Sequence, residues 1–240
     1  MNTKQKVVLI GLSGCSSTGK TTIAKLTAEL VNQSTLIHED DFYKHDDEVP
    51  IDPKRNIANW DSPEALDFPL FRKELGHIRE SGDIKTELIH NNNVDDLKKF
   101  KIKPEILENL KQNYSAIDSN LKIVIVDGFM MFNDPEVRSK LDIKILIRAP
   151  YEQLKQRRAA RLGYQTLDSF WVDPPYYFDE FVYKSYAETH GPLFINNDVE
   201  GHLDPVKASD IQDFMNSDEV AIEQTLQWVC NIIVNSCKDL

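Results

Sequence analysis

A glycine-rich segment near the start of the chain has the residue types and the spacing that bind phosphate. The stretch "GCSSTGKT", from Gly14 to Thr21, matches the pattern G-x-x-x-x-G-K-[ST] at every fixed position. In such a loop the backbone N–H groups point at a phosphate, and the following helix presents its positive end to the same anion. The lysine brings a charge to the β- and γ-phosphates, and the threonine hydroxyl binds the accompanying Mg²⁺. The predicted contacts of a nucleoside triphosphate are Gly14, Cys15, Ser16, Ser17, Thr18, Gly19, Lys20, Thr21 and Thr22.

Acidic side chains follow two predicted strands. "LIHEDDFYKH" places Asp40 and Asp41 after one strand, and "VIVDGF" places Asp127 after another. Since strand ends in a doubly wound sheet line one crevice, we expect all three on its substrate side, facing the phosphates. Phosphoryl transfer needs a carboxylate that accepts the proton of the acceptor hydroxyl, and we predict that this base is Asp40. The alternatives are that Asp127 is the base, and that the adjacent acids only cap a helix or a turn.

Three arginines lie close together on the predicted helix that follows "IRAP". Arg157 and Arg161 are four residues apart and share a face, whereas Arg158 points elsewhere. Beside a bound triphosphate, arginines stabilise the negative oxygens of the group in transfer. The alternative is a solvated basic face paired with Glu152 or Glu180. The following segment, "GYQTLDSFWVDPPYYFDEFV", is rich in aromatic residues and proline, which indicates an irregular loop that closes over the site.

The surrounding pattern predicts an α/β fold with a doubly wound, mainly parallel, five-stranded sheet. Short apolar, β-branched runs alternate with helical patterns, as is typical of this architecture. Strands are predicted at "VVLIGLS" (7–13), "STLIHEDD" (34–41), "IVIVDGFMMF" (123–132), "IKILIR" (143–148) and "PLFIN" (192–196). The phosphate motif lies between the first strand and a helix, which argues against a chance glycine-rich turn.

The chain is interpreted as one domain, residues 1–240. Residues 76–121 are polar and rich in Asn and Lys, which predicts a peripheral insertion, and residues 151–185 form the predicted lid region. The net charge of −11 argues against nucleic acid and an anionic membrane as partners, because both require a positive surface. Three cysteines without a C-x-x-C pair fit a reducing compartment, and the first apolar run is too short for a signal peptide. We expect a cytoplasmic or also nuclear protein that is a monomer or a weak homo-oligomer.

The segment "IANWDSPEAL" places Trp60 and Asp61 just before a helix that begins with proline. A large flat side chain is costly to leave in a polar loop, so the indole must contact something. One interpretation is a core anchor at the helix entry. The other is a wall on which an aromatic base stacks, with the adjacent aspartate binding a sugar.

Three segments together resemble the nicotinamide riboside kinases, a branch of the uridine kinase-like P-loop small-molecule kinases. They are "GCSSTGKTT", then "HEDDFY" with "NWDSPEAL", and finally "VDGFMMFN" through "PYEQLKQRRAARLGYQTLDS". The matched stretches run from about residue 7 to residue 200, interrupted by the insertion, and resemble the fungal form closely. The resemblance implies ATP as phosphoryl donor, Mg²⁺, and phosphorylation of the ribose 5′-hydroxyl of nicotinamide riboside, with nicotinic acid riboside as a second substrate.

The resemblance also implies residue roles. Asp40 would accept the proton and, with Thr21, bind Mg²⁺, while Lys20 and the arginines would carry the developing charge. Trp60 would stack on the base, and Asp61 would bind the ribose hydroxyls. The implied nucleoside contacts are Asp40, Asp41, Phe42, Tyr43, Trp60, Asp61, Arg158 and Asp168, the last at the substrate side of the lid. The implied ATP contacts beyond the loop are Arg157, Arg161, Val199, Glu200 and Gly201.

Two departures from the family pattern stand out. Trp60 replaces a residue that is commonly Tyr, and the loop after Asp168 carries the extra residues "FWVDPP". A pyridinium against a tryptophan face gains roughly 0.5–2 kcal/mol over a neutral ring, which is a preference of about two- to thirtyfold. The alternative function is that of a uridine/cytidine kinase, which acts on pyrimidine nucleosides. A P-loop switch is an alternative of another kind, but the sequence lacks the N-K-x-D segment that reads guanine in GTPase switches.

Overall fold

The computed structural model describes residues 5–86, 100–238 and 240. The strands are β1 (Lys6–Ser13), β2 (Thr35–His38), β3 (Ile51–Asp52), β4 (Ile57–Ala58), β5 (Leu121–Gly128), β6 (Ile143–Arg148), β7 (Tyr164–Gln165), β8 (Phe170–Trp171) and β9 (Ile211–Met215). The α-helices are α1 (Lys20–Leu30), α2 (Phe68–Ser81), α3 (Pro104–Tyr114), α4 (Pro135–Lys140), α5 (Tyr151–Ala159), α6 (Tyr183–His190) and α7 (Ile222–Lys238). Within this part of the chain, every helix is too short or too polar to span a bilayer.

Five strands form one sheet in the order β2-β5-β1-β6-β9, and every pair is parallel. The central strand β1 is buried at seven consecutive residues because apolar layers cover both faces of the sheet. Leu9 points into the layer that contains α2, whereas Ile10 points into the layer that contains α1, α3 and α7. The predicted fold class is therefore confirmed.

The strand predicted at 192–196 is wrong. That stretch contains two 3₁₀ turns, Gly191–Leu193 and Ile195–Asn197, and Asn196 has a φ of 57°, which a strand does not adopt. The fifth strand is β9, at the edge of the sheet beside β6. Of its residues only Ile211 is buried, so β9 lacks the continuous apolar run that identified the inner strands.

The predicted insertion at 76–121 is described only in part, since residues 87–99 lie outside the described residues. Its first residues belong to α2, and its later part contains α3. Leu110 and Tyr114 of α3 are buried in the same apolar layer as Val229 and Cys230 of α7. The peripheral position of the whole insertion stays a prediction.

The register of the sheet brings the loops that carry chemistry to one edge. Ser13 at the end of β1 lies opposite Gly128 at the end of β5, and His38 at the end of β2 lies opposite Asp127. The phosphate loop, the 3₁₀ helix Glu39–Phe42 and the loop after β5 therefore begin side by side. This is the edge at which doubly wound sheets bind ligands.

Candidate active site

A cavity of about 710 Å³ lies beside these loops, which is within the range of small-molecule sites. It brings together the phosphate loop, the strand-end acids, the Trp60 segment and the arginine helix. The predicted residues on its wall are Ser16, Ser17, Gly19, Lys20, Thr21, Thr22, Asp40, Asp41, Tyr43, Trp60, Asp61, Arg157, Arg158 and Arg161. The predicted residues off its wall are Gly14, Cys15, Thr18, Phe42, Asp127, Asp168, Val199, Glu200 and Gly201.

The phosphate loop depends on a close backbone approach at Gly14. This residue has a φ of 150°, and a Cβ placed on it would lie 2.1 Å from the carbonyl oxygen of Ile147. Gly19, with a φ of 89°, turns the chain into α1, whose first residue is Lys20. The N-terminus of α1 thus opens onto the cavity, where its N–H groups and dipole favour an anion.

Cys15 belongs to the loop, but its side chain does not reach the cavity. The thiol is packed in the apolar layer beneath the loop. Burial raises its pKa to about 12, because an apolar surrounding disfavours the thiolate. Only the backbone of Cys15 is therefore available to a phosphate.

The two candidate bases occupy different places. Asp40 lies on the cavity wall, whereas Asp127 lies behind it, with Oδ2 3.0 Å from Nδ1 of His38. The surrounding protein raises the pKa of Asp40 by desolvation, and the negative charge of Asp127 raises it further, while Lys20 opposes the shift. The arrangement puts the carboxylate of Asp40, rather than that of Asp127, within reach of a ligand.

Glu39 is a buried acid that the sequence analysis did not single out. Its side chain is 0% exposed, and its Oε2 accepts hydrogen bonds from the backbone N–H groups of Phe129 (2.6 Å) and Met130 (2.9 Å). Burial raises its pKa to about 8. Phe129 lines the cavity and stacks on Tyr43 at 6.1 Å, so Glu39 holds one aromatic part of the wall in place.

Phe42 lies in the core and not beside the nucleoside, where it was predicted. It is 2% exposed and packs on Phe71 with ring centroids 4.8 Å apart. The 3₁₀ geometry of Glu39–Phe42 turns successive side chains about 120° apart, which directs Phe42 into the core while Asp40 and Asp41 face the cavity.

Trp60 is both a core residue and a wall residue, and its stacking on an aromatic base stays a prediction. Its side chain is 9% exposed and packs within the apolar layer, yet it also lines the cavity. Its backbone N–H donates a 2.8 Å hydrogen bond to the hydroxyl of Tyr177, which in turn donates to the carbonyl of Ala58. The indole is therefore a fixed wall rather than a mobile side chain.

Asp61 lies next to a network centred on Arg158. Nη2 of Arg158 is 3.7 Å from Oδ2 of Asp61, and Nη1 donates a 2.7 Å hydrogen bond to the hydroxyl of Ser16. The same guanidinium makes two hydrogen bonds to Asp173, at 2.6 and 3.1 Å. Burial raises the pKa of Asp61 to about 6 although Arg158 opposes the shift.

The other two arginines also reach the cavity. Arg157 pairs with Asp218 and donates hydrogen bonds to the backbone carbonyls of Asn216 (3.0 Å) and Ser17 (3.5 Å). Arg161 lies over the ring of Tyr164 at 5.4 Å. The alternative prediction that the arginine helix pairs with Glu180 is wrong, because Glu180 pairs with Arg55.

The predicted ligand contacts at Asp168 and at residues 199–201 lie off the cavity wall. Asp168 accepts hydrogen bonds from the backbone N–H of Asp46 (2.9 Å) and lies 3.1 Å from Nδ1 of His45. The carbonyls of Val199 and Gly201 accept hydrogen bonds from Arg148, and Glu200 accepts one from the backbone N–H of Tyr151. These residues stabilise turns beside the cavity rather than forming its wall.

Sequence reasoning missed half of the wall residues, most of which follow the arginine helix or β9. Asn216 follows β9 directly, and its side chain donates a 2.8 Å hydrogen bond to the carbonyl of Thr18 in the phosphate loop. Had β9 been recognised, the loop after it would have been expected at this edge of the sheet. The wall residues missed are Ile23, His38, Phe100, Phe129, Ala160, Tyr164, Gln165, Thr166, Trp171, Asn216, Ser217, Asp218, Val220 and Ile222.

Comparisons with known proteins identify kinases to which this chain is similar in sequence. Residues 9–161 match the model of the phosphoribulokinase/uridine kinase family. The chain is 62% identical to a nicotinamide riboside kinase of Saccharomyces cerevisiae, over 99% of this chain and 100% of the relative. It is 51% identical to a nicotinamide riboside kinase of Eremothecium gossypii, over 94% and 92%. A uridine kinase of Borrelia duttonii is 31% identical over 65% of this chain and 67% of the relative.

Proposed function

We propose, since the chain belongs to the phosphoribulokinase/uridine kinase family, that it phosphorylates the ribose 5′-hydroxyl of nicotinamide riboside with ATP as the donor. The product is nicotinamide mononucleotide, a precursor of NAD, and nicotinic acid riboside is a second substrate. The observation that carries the proposal is one cavity wall that contains both the phosphate loop and the Trp60–Asp61 pair. The relatives that cover nearly the whole chain are named for this substrate.

Positively charged groups line the part of the cavity that binds ATP, which we call the donor end. Lys20 binds the β- and γ-phosphates of ATP, and the N-terminal N–H groups of α1 bind the same oxygens. Arg157 on α5 and Arg161 just beyond the end of α5 also line the cavity, and they stabilise the negative oxygens of the group in transfer.

A Mg²⁺ ion fits the oxygen donors of this wall. In the described residues, no group of three or more His, Cys, Asp or Glu could hold a metal by itself. Mg²⁺ is commonly bound by one or two protein oxygens together with substrate phosphates and water. Thr21 and Asp40 supply such oxygens on one wall, and the ion would neutralise charge on the phosphates.

Asp40 acts as the general base. The proton of the 5′-hydroxyl passes to its carboxylate as the hydroxyl oxygen forms a bond to the γ-phosphorus. The bond from this phosphorus to the oxygen that bridges to the β-phosphate breaks, and ADP leaves. A carboxyl whose pKa is raised by its surroundings is a stronger base than a free aspartate, which suits this role.

The nucleoside end combines an aromatic wall with fixed polar groups. Asp61 accepts hydrogen bonds from the ribose hydroxyls, and Arg158 keeps this buried acid in place. Trp60 offers its ring to the pyridinium base. A product assay tests the proposal: with ATP, Mg²⁺ and nicotinamide riboside, the chain should form the 5′-monophosphate and ADP in equal amounts. ATP consumption without phosphorylated nucleoside would refute it.

A further inference from the structure

The loop after Asp168 brings a second indole to the cavity. Trp171, at the end of β8, lines the wall and is only half-buried. Its ring centroid is 6.3 Å from that of Trp60 and 5.2 Å from that of Tyr177. Tyr177 supports the indole from the core, because this tyrosine is fully buried. Trp171 is therefore a supported part of the cavity rather than a free loop side chain.

The two indoles form a corner. Their planes are inclined at 58°. A flat ring inserted between two parallel rings needs about 7–8 Å between them, because each contact takes about 3.5–4 Å. At 6.3 Å and this angle no flat ring fits between the indoles, so a base that contacts both would meet them as two adjoining walls. A positively charged ring in this corner would lie near the electron-rich faces of both indoles.

Two other aromatic side chains of the wall, Tyr164 and Tyr43, contact groups of the protein. The guanidinium groups of Arg158 and Arg161 lie over the ring of Tyr164, at 4.3 Å and 5.4 Å from its centroid. This ring therefore already has cationic partners within the protein. Tyr43 is stacked on Phe129. In the described part of the chain, no lysine or arginine lies over either indole of the corner.

Asp173 fixes the orientation of Trp171. Its Oδ1 accepts a 2.8 Å hydrogen bond from the indole Nε1, while both of its oxygens bind Arg158. Because Arg158 also bonds to the phosphate loop through Ser16, the carboxylate connects the corner to the donor end of the cavity. Trp171 cannot rotate away without breaking a partly buried hydrogen bond.

We propose that Trp171 is a specificity-determining residue, which favours a nucleoside with a positively charged base, and that Asp173 is the residue that positions it. This inference rests on the proposed function. The charge-specific probe is nicotinamide riboside compared with its reduced dihydropyridine form, which has the same ribose and carboxamide but a neutral ring. Both are measured as kcat/KM, or as competitive Ki where turnover is slow.

The Trp171→Leu variant should lower the preference for the cationic form over the neutral form by about two- to thirtyfold. Trp171→Phe keeps a ring face but loses the N–H donor, so an intermediate loss is expected. Trp228→Phe is the matched control, because Trp228 packs on Phe214 in the other apolar layer and should leave the preference unchanged. The preference is a ratio, so a general loss of folded protein cancels from it.

The role of Asp173 is tested by a double-mutant cycle. Asp173→Ala alone should lower the charge preference in the same direction as Trp171→Leu. In the Trp171→Leu background it should lower the preference no further, because Asp173 acts through the indole. Additive losses would show that Asp173 acts independently and would overturn its positioning role.

The outcomes separate this inference from the function on which it rests. If the unaltered chain does not phosphorylate nicotinamide riboside, the proposed function fails and the inference fails with it. If the unaltered chain does so and Trp171→Leu retains the full charge preference, only the inference is overturned. Should Trp171→Leu not fold, the result for Trp171→Phe decides, and an unchanged preference there also overturns it.

Discussion

Arg158 donates a 2.7 Å hydrogen bond from Nη1 to the hydroxyl of Ser16, so helix α5 is bonded directly to the phosphate loop. The same guanidinium faces the buried carboxylate of Asp61 and the partly buried carboxylate of Asp173. One side chain thus connects the groups proposed for the phosphates with those proposed for the nucleoside. A displacement of α5 that moves Arg158 should therefore affect both ends of the cavity.

Replacement of Arg158 by Ala should reduce both stability and activity. The buried acid Asp61 and the partly buried acid Asp173 lose their cation, and the loss of a buried partner typically costs about 3–5 kcal/mol in the free energy of unfolding. We expect kcat/KM to fall by about 10²-fold or more, as for loss of a group that stabilises transition-state charge. Urea denaturation and steady-state kinetics measure the two effects. Arg161→Ala is the stability control, since that residue is exposed, and an equal loss of stability in both variants would contradict the buried network.

Replacement of Asp40 by Asn should lower kcat by about 10²–10⁴-fold, the usual contribution of a general base, while ATP still binds. The matched variant Asp127→Asn should have a smaller effect, because Asp127 is off the cavity wall and paired with His38. Single-turnover rates at saturating ATP and nucleoside give the comparison. A larger loss in Asp127→Asn would transfer the role of base to that residue.

One glycine substitution should abolish ATP binding, whereas another should stabilise the protein. Gly14→Ala places a methyl group against the carbonyl oxygen of Ile147, so the phosphate loop must move and ATP binding should be lost. Gly76→Ala has room in the middle of α2, where the nearest atom is 3.8 Å away, and should stabilise the protein by about 0.5–1 kcal/mol. Calorimetric titration with ATP and thermal unfolding check both, and ATP binding by Gly14→Ala at parental affinity would be inconsistent with this loop geometry.

The buried acid Glu39 predicts a pH-dependent stability. Its pKa is raised from 4.5 to about 8 in the folded state, so folding retains a proton that the unfolded chain has lost. Stability therefore declines as pH rises from about 4.5 to about 8, by at most about 5 kcal/mol at 1.36 kcal/mol per pKa unit. Glu39→Gln keeps an acceptor for Phe129 and Met130 without the charge. Its free energy of unfolding should exceed that of the parent increasingly across this pH range, and a constant difference would argue against a buried titrating acid.

Trp60→Ala should raise KM for nicotinamide riboside far more than KM for ATP, because the indole forms the wall at the nucleoside end. Removing a buried tryptophan also costs about 3–5 kcal/mol of stability, so thermal unfolding is measured alongside. Trp60→Tyr is the conservative control, since it keeps an aromatic face. Equal changes in the two KM values would leave Trp60 with a structural role only.

The sequence predicted best those parts of the molecule that local chemistry determines. The phosphate motif needs specific residues at specific positions, and "GCSSTGKT" lies between β1 and α1 as expected. The inner strands are buried on both faces, which makes them continuous apolar runs. The edge strand β9 carries no such run, whereas the apolar stretch at 192–196 forms 3₁₀ turns.

Positions that depend on tertiary contacts could not be predicted in the same way. Asn216 reaches the phosphate loop only because β9 pairs with β6. Val199 and Gly201 lie off the cavity because their carbonyls bind Arg148, a partner that no local pattern indicates. Trp171 was seen only as part of an irregular loop, and its place on the wall follows from packing on Tyr177 and bonding to Asp173.

A competition assay tests the central claim most directly. Nicotinamide riboside and uridine are supplied at equal concentration with limiting ATP and Mg²⁺, and the two monophosphates are quantified early in the reaction. Their ratio equals the ratio of the two kcat/KM values. The account predicts an excess of nicotinamide mononucleotide of at least about twofold, from the cation–aromatic contribution alone. Equal products, or an excess of uridine monophosphate, would contradict it.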